Sequence, residues 1–207
     1  NAKVTYFNME LEENMILRRL RLFPHFSFTK GSNIINGRKS YYEVVNYIRT
    51  KKPDIVIIDW LNLMISDEDS GRALVEQIKI ARGLAQLAID ENVAIILLNQ
   101  MNKMGTSAII DWYAGVAGSS AVYNAAHMFI GLYNRTKALT PHLMDDSQLK
   151  GIIEVHIDKT RDDGQRSGIV YARYIFADKT KLKSAGYESL DGSEEDLYLI
   201  RSKLKKQ

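Results

Sequence analysis

The 207-residue chain contains no cysteine, so neither a disulfide framework nor a thiolate metal site is open to it. It also has no long apolar run. Stretches such as Val93–Leu98 fall far short of the roughly 20 residues that span a bilayer as a helix, so no membrane partner is expected. No basic, apolar and small-residue leader opens the chain, and a cytoplasmic location is the resulting expectation. Nor is there a strong excess of charge of one sign. The net +3 suits a solvated surface slightly rich in lysine as well as it suits a nucleic-acid binder, and decides between neither. Repeats and low-complexity segments are missing too. What is present is 45% hydrophobic and 26% charged residues, a balance that builds a real core in one globular domain over residues 1–207. The chain enters an apolar run at Val4 with no initiator methionine, which reads as a fragment that opens inside a strand.

Short aliphatic or β-branched runs at Val4–Met9, Ile55–Trp60, Val93–Asn99, Met128–Tyr133 and Ile152–Lys159 read as buried strands. Between them lie helical patterns over Leu11–Leu22, Tyr41–Thr50 and Ser70–Asp90. The last places Leu74, Ile78, Ala81, Leu84 and Leu87 at intervals of three or four. Strands alternating with helices of this length predict an α/β fold with a mostly parallel sheet covered by helices on both faces. Ile152–Lys159 and Gly168–Phe176 flank a polar, glycine-containing stretch, the pattern of an antiparallel hairpin at one edge. Residues 65–71, 103–120 and 135–148 read as loops of a length more often functional than decorative. The terminal Lys203-Leu204-Lys205-Lys206-Gln207 reads as a solvated charge run.

The segment richest in chemistry is Pro53-Asp54-Ile55-Val56-Ile57-Ile58-Asp59-Trp60-Leu61-Asn62-Leu63-Met64. Four aliphatic residues ending in an acid describe a buried strand that delivers Asp59 to the carboxyl edge of the sheet, where open α/β folds bind ligands. A Walker B aspartate, which holds magnesium directly or through water, is placed in this way. The pattern alone is common in α/β proteins. In company with the segments around it, however, the chain resembles the C-terminal motor domain of the DnaB-type replicative helicases from about Val4 to about Phe176.

That resemblance implies a RecA-like P-loop core and a role for several residues. Phe7-Asn8-Met9-Glu10-Leu11 is similar to the element that carries the family's catalytic base, so Glu10 inherits that role. Glu10, Glu12 and Glu13 also lie where the first turn of a helix favours acids, and the two readings compete. Val93–Asn102 is similar to the strand whose terminal glutamine contacts the nucleotide, making Gln100 the candidate phosphate sensor; a polar cap on a strand end is the plainer reading. Leu149–Gly164 carries the most discriminating match, with the family's Lys-x-Arg kept as Lys159 and Arg161. In the family this pair reaches into the neighbouring subunit's nucleotide site, the arginine acting as a finger. Strand alternation puts Lys159 and Arg161 on one face, although two ordinary cations beside a hairpin, balanced by Asp158, Asp162 and Asp163, would read the same.

Gly118–Tyr133 is similar to a segment that follows a DNA-contacting loop. It departs from the pattern at Tyr123, Asn124 and His127, and the preceding loop holds Trp112 and Tyr113 where the family is more polar. Ser119 and Ser120 suit single-strand phosphates, and Trp112 or Tyr113 suits base stacking or packing beneath the loop. The phosphate-cradling G-x-x-x-x-G-K-[ST] pattern occurs nowhere in the chain. Gly37-Arg38-Lys39-Ser40 precedes a helix but follows no strand pattern, and the resemblance puts the proper loop upstream of Asn1. The resemblance therefore implies an ATP- and magnesium-dependent helicase motor acting as a ring, hexameric in the family, on single-stranded DNA. Primase and a helicase loader are its further expected partners, in a bacterial or viral replication setting. Another RecA-family ATPase, or a DNA-binding or ring-assembly module that lost the phosphate loop, are the alternatives.

Overall fold

A computed structural model describes residues 2–20, 30–61, 64, 73–100, 120–133, 152–161, 168–175 and 186–189. The chain divides into two compact units, Asn1–Ala126 and His127–Gln207.

The first unit is built from β1 (Val4–Asn8), α1 (Glu13–Leu20), β2 (Asn33–Asn36), α2 (Tyr41–Lys51), β3 (Ile55–Asp59), α3 (Ala73–Asp90), β4 (Ala94–Leu97) and α4 (Ser120–Ala125). Its four strands lie in the order β2-β1-β3-β4, and every neighbouring pair is parallel, as the alternation of strands and helices predicts. One face of the sheet is sealed: Thr5, Phe7, Val56 and Ile58 are each 1% exposed or less. Phe7 meets Tyr47 of α2 edge-on at 5.5 Å between ring centroids. On the other face Tyr6, Ile57 and Asp59 are half-buried, while Ile96 and Leu98 are exposed.

Local chemistry explains the helices. Ser40 caps α2: its side chain accepts from the backbone N–H of Glu43, while the Glu43 carboxylate accepts from the Ser40 backbone. This reciprocal box satisfies two donors that the helix start would otherwise leave unpaired. Donation to the carboxylate by the Ser40 backbone N–H and hydroxyl, with Lys39 adding to it, holds the Glu43 carboxyl below the usual carboxylate range. Val44 and Ile48 bury one stripe. Lys52 then adopts the left-handed conformation at φ 48°, and Pro53 prevents the helix from continuing. Helix α3 buries Ile80, Ala81, Leu84 and Leu87, close to the predicted stripe, with Ile78 half-buried.

Two elements go beyond the sequence reading. Gly37-Arg38-Lys39-Ser40 does follow a strand, since β2 pairs with β1 from Thr5↔Asn33 to Asn8↔Asn36. Four residues of Asn-Ile-Ile-Asn are too short and too polar at both ends to announce a strand. The predicted loop over 103–120 also yields its last residue, Ser120, to α4.

Gly83 of α3 lets Tyr41 approach closely, because a Cβ there would run into the Tyr41 hydroxyl and come within 2.8 Å of its Cζ. Alanine is intrinsically about 1 kcal/mol better than glycine inside a helix, whereas overpacking costs about 1–3 kcal/mol. Gly83→Ala is therefore expected to destabilise the unit by about 1 kcal/mol, read as a lower urea midpoint at unchanged slope. A raised midpoint would mean that the Tyr41 ring swings aside freely.

The second unit is an antiparallel sheet of β5 (Met128–Tyr133), β6 (Ile152–Thr160), β7 (Gly168–Ile175) and β8 (Gly186–Ser189), in that order. The predicted hairpin is its β6–β7 pair, and β5 and β8 extend it to either side. The ladder slips once, between Phe129 and Ile130, so that Phe129 faces Lys159 while Ile130 faces Ile157. Glu154 is 2% exposed and shares a 2.8 Å hydrogen bond with His156 Nε2.

Candidate functional site

Three adjacent parallel strands, β1, β3 and β4, run out at the same edge of the first unit's sheet. Asn8 is paired with Asp59 at the end of β1 and β3, and the Met9 N–H donates to the Asp59 carbonyl at 2.9 Å. The β3–β4 ladder continues past the last strand residues through Leu98 N–H to Ile58 O (3.0 Å) and Leu61 N–H to Leu98 O (3.1 Å). Glu10, Asp59 and Gln100 thus all lie at or just beyond the carboxyl ends of neighbouring strands. This is the edge at which open parallel sheets bind ligands.

Glu10 stands exposed in the short connection between β1 and α1. That connection is pinned by Asn8, which is itself fully buried. Asn8 Nδ2 donates to the Leu11 carbonyl at 2.5 Å and to Asn36 Oδ1 at 2.7 Å, and Asn8 Oδ1 accepts from the Leu11 N–H at 3.0 Å. Glu10 is held inside a turn closed on both sides by one amide side chain. The helix begins only at Glu13, so Glu10 lies ahead of the first helical turn, where Glu13 supplies the acid.

Asp59 is half-buried at the end of β3, and its Oδ2 accepts a 2.5 Å hydrogen bond from the Tyr6 hydroxyl. Among the described residues no cluster of three or more His, Cys, Asp or Glu side chains is arranged to hold a metal. A single carboxylate at a strand end nevertheless fits magnesium. That ion keeps several waters and takes one or two carboxylates together with substrate phosphates. Gln100 is exposed beyond β4, and its amide can donate to or accept from a ligand at this edge.

In the second unit Lys159 lies on β6 beside the slip in the ladder, and irregularities of this kind re-aim side chains. Arg161 follows one residue after the strand, its backbone N–H donating to the His127 carbonyl at 2.9 Å. Lys159 is half-buried and Arg161 exposed. Burial, with the nearby positive charge of Arg161 as the second cause, holds the Lys159 ammonium below the usual lysine range. The donors of a lysine and an arginine are of the kind that bind the oxygens of an anion such as a triphosphate.

The sign of the effect of Arg161 on Lys159 gives a direct expectation. Removing a like charge favours the protonated form, so in Arg161→Ala the Lys159 ammonium should titrate at higher pH than in the parent. It should stay below a free lysine, because burial persists. Site-resolved NMR of the Lys159 side chain reads this, and an unchanged titration would separate the two side chains.

The remaining candidates fall differently. Ser120 opens α4, which packs on α3, whereas Ser119, Trp112 and Tyr113 lie outside the described residues. Two residues that the sequence does not single out hold the surroundings of Asp59 and Glu10: the Tyr6 hydroxyl donates to Asp59, and the Asn8 side chain bonds Leu11 across Glu10. For Asn8 a signal existed: an asparagine between a strand pattern and a helical one is a turn-forming residue. For Tyr6 it did not, since only the register of β1 against β3 brings its hydroxyl to Asp59.

The family model for the DnaB-like helicase C terminal domain matches residues 31–175. No curated protein sequence matches the chain significantly. Among solved structures the chain is similar to a DnaB-like replicative helicase studied together with its interactions with primase, at TM-score 0.67 and 21% identity, covering 84% of this chain and 48% of that one. It is also similar to a second solved structure, an ATPase domain, at TM-score 0.65 and 21% identity, covering 89% of this chain and 74% of that one. The chain spans about half the length of the first of these. The fold is the RecA-like α/β arrangement expected from the sequence. No described helix is long and apolar enough to cross a membrane.

Proposed function

The chain belongs to the DnaB-like helicase C-terminal domain family, and from that premise we propose that it is the ATP-hydrolysing motor of a ring-shaped replicative helicase that moves on single-stranded DNA. The observation that carries this reading is the convergence of Glu10, Asp59 and Gln100 at the carboxyl ends of three neighbouring parallel strands. Residues 1–207 act together in it as one motor domain.

In this reading Asp59 would hold magnesium, directly or through water, and the ion would supply charge neutralisation for the nucleotide's phosphates. Glu10 orients the attacking water and takes its proton. Gln100 hydrogen-bonds the terminal phosphate. Lys159 and Arg161 serve the nucleotide of a neighbouring subunit, where the arginine's planar fork matches phosphate oxygens. That arrangement makes a ring, hexameric as in the resemblance, a requirement of the chemistry. Ser119, Ser120, Trp112 and Tyr113 are the proposed contacts to single-stranded DNA. Primase and a helicase loader are the proposed protein partners, by analogy with the primase interactions of the similar helicase.

The chain of 207 residues contains no G-x-x-x-x-G-K-[ST] pattern, and with it the main phosphate cradle and a magnesium-binding hydroxyl are missing. Residues 1–207 on their own are therefore expected to hydrolyse ATP at close to the background rate, whereas the full-length protein turns it over with magnesium and responds to single-stranded DNA. A coupled phosphate-release assay on both tests the reading. Robust magnesium-dependent turnover by residues 1–207 would overturn the role given to that loop. A full-length protein that binds DNA and assembles but never hydrolyses ATP would favour a non-catalytic ring-assembly module.

A further inference from the structure

The phenol of Tyr6 is a polar group in contact with Asp59 that the proposed chemistry leaves unused. Tyr6 pairs with Ile57 across the β1–β3 ladder, and Asn8 pairs with Asp59. Tyr6 and Asp59 therefore share one face of the sheet, one diagonal step apart. That step suits the length of a tyrosine, whose Oη reaches Asp59 Oδ2 at 2.5 Å. Hydroxyl-to-carboxylate bonds of this kind are short and about twice as strong as neutral ones. Both partners are half-buried, on the face of the sheet opposite Phe7 and Ile58, so the bond is partly shielded from competing water.

A carboxylate at a strand end can otherwise rotate freely about its last bond. With Oδ2 engaged, rotation breaks a charge-assisted hydrogen bond, so the carboxylate is held in one orientation. We propose that Tyr6 is a positioning residue that fixes the Asp59 carboxylate for a divalent cation. The proposal rests on the reading of Asp59 as the magnesium-holding residue. Tyr6 acts through Asp59 and touches neither the cation nor the nucleotide.

The test uses the full-length protein with Mn2+ as the probe and a non-hydrolysable ATP analogue, with free Mn2+ counted by electron paramagnetic resonance. The parent is compared with Tyr6→Phe, Asp59→Asn and the double variant. Loss of a group that orients a metal-holding residue typically costs 10- to 100-fold in metal affinity, so Tyr6→Phe is expected to weaken Mn2+ binding by about tenfold. Affinity for the analogue in metal-free buffer should stay as in the parent, and the melting temperature should fall by only about a few degrees, since phenylalanine keeps the ring and loses one hydrogen bond. Residues that act as one unit are non-additive, so Tyr6→Phe should add nothing on the Asp59→Asn background.

Parental Mn2+ affinity in Tyr6→Phe, beside a clear loss in Asp59→Asn, would overturn the positioning role and leave the reading of Asp59 standing. Additive losses in the double variant would also overturn it, by assigning Tyr6 an effect that bypasses Asp59. Parental affinity in Asp59→Asn would overturn the reading of Asp59 and the role of Tyr6 with it. Should Tyr6→Phe fail to fold, 3-fluorotyrosine at position 6 keeps the shape and changes only the acidity of the hydroxyl. A shifted Mn2+ affinity then supports the proposal and an unchanged one refutes it.

Discussion

Glu10→Gln in the full-length protein is expected to lower kcat roughly 10²- to 10⁴-fold, the range contributed by a positioned general base, while nucleotide affinity and ring assembly stay parental. The amide keeps the size of the side chain and loses the ability to accept a proton. Glu10 is exposed ahead of α1, so its replacement removes no packing and little stability. The same geometry predicts a graded partner. Asn8→Ala removes the two side-chain hydrogen bonds that close the Glu10 turn onto Leu11 and the one that ties it to Asn36, leaving the carboxylate present but misplaced. Misplacement by about 1 Å can cost on the order of 10²-fold, so Asn8→Ala should fall between the parent and Glu10→Gln in kcat at little change in KM. Steady-state turnover assays with nucleotide binding measured in parallel separate these outcomes. Near-parental hydrolysis by Glu10→Gln would leave Glu10 as an acid near a helix start.

Arg161→Ala carries the second large effect. A cation that meets charge developing on the γ-phosphate is worth about 10³–10⁵ in kcat, and its loss should appear in kcat with nucleotide binding largely retained. Lysine at position 161 should rescue little, because a point charge on a flexible stem cannot reproduce the planar fork. Activity within a few-fold of the parent would make Arg161 an ordinary cation beside β6.

Much of the fold was legible because its signals are periodic. The aliphatic runs at Ile55–Asp59 and Ala94–Leu97 are parallel strands, and the three-and-four spacing between Leu74 and Leu87 marks α3. Strand β2 was not legible, because Asn33-Ile34-Ile35-Asn36 offers too few apolar residues for any period. Strand β5, read as one more buried strand, leaves Met128, Ile130 and Leu132 exposed and pairs antiparallel with β6, since burial and direction of pairing are tertiary properties. Of the proposed site residues, Asp59 is suggested by the aliphatic run before it, and Glu10, Gln100, Lys159 and Arg161 by family resemblance. The bonds of Asn8 to Leu11 are local, but the contacts of Tyr6 with Asp59 and of Asn8 with Asn36 depend on register, which no single strand encodes. The slip beside Lys159 is of the same kind: it exists only in the pairing of two strands.

If one subunit's Glu10 and Asp59 work with the next subunit's Arg161, mixing two kinds of inactive subunit should restore activity. Rings of Arg161→Ala subunits lack the transition-state cation, and rings of Glu10→Gln subunits lack the base, so each homogeneous ring should be inactive. On mixing, some interfaces join an intact Glu10 to an intact Arg161 from the neighbour, and ATPase activity should return in part, rising and falling with the ratio of the two subunits. No recovery at any ratio, with subunit exchange demonstrated by energy transfer between labelled subunits, would place Arg161 in its own subunit's site or outside the chemistry altogether, and the shared interface would be wrong.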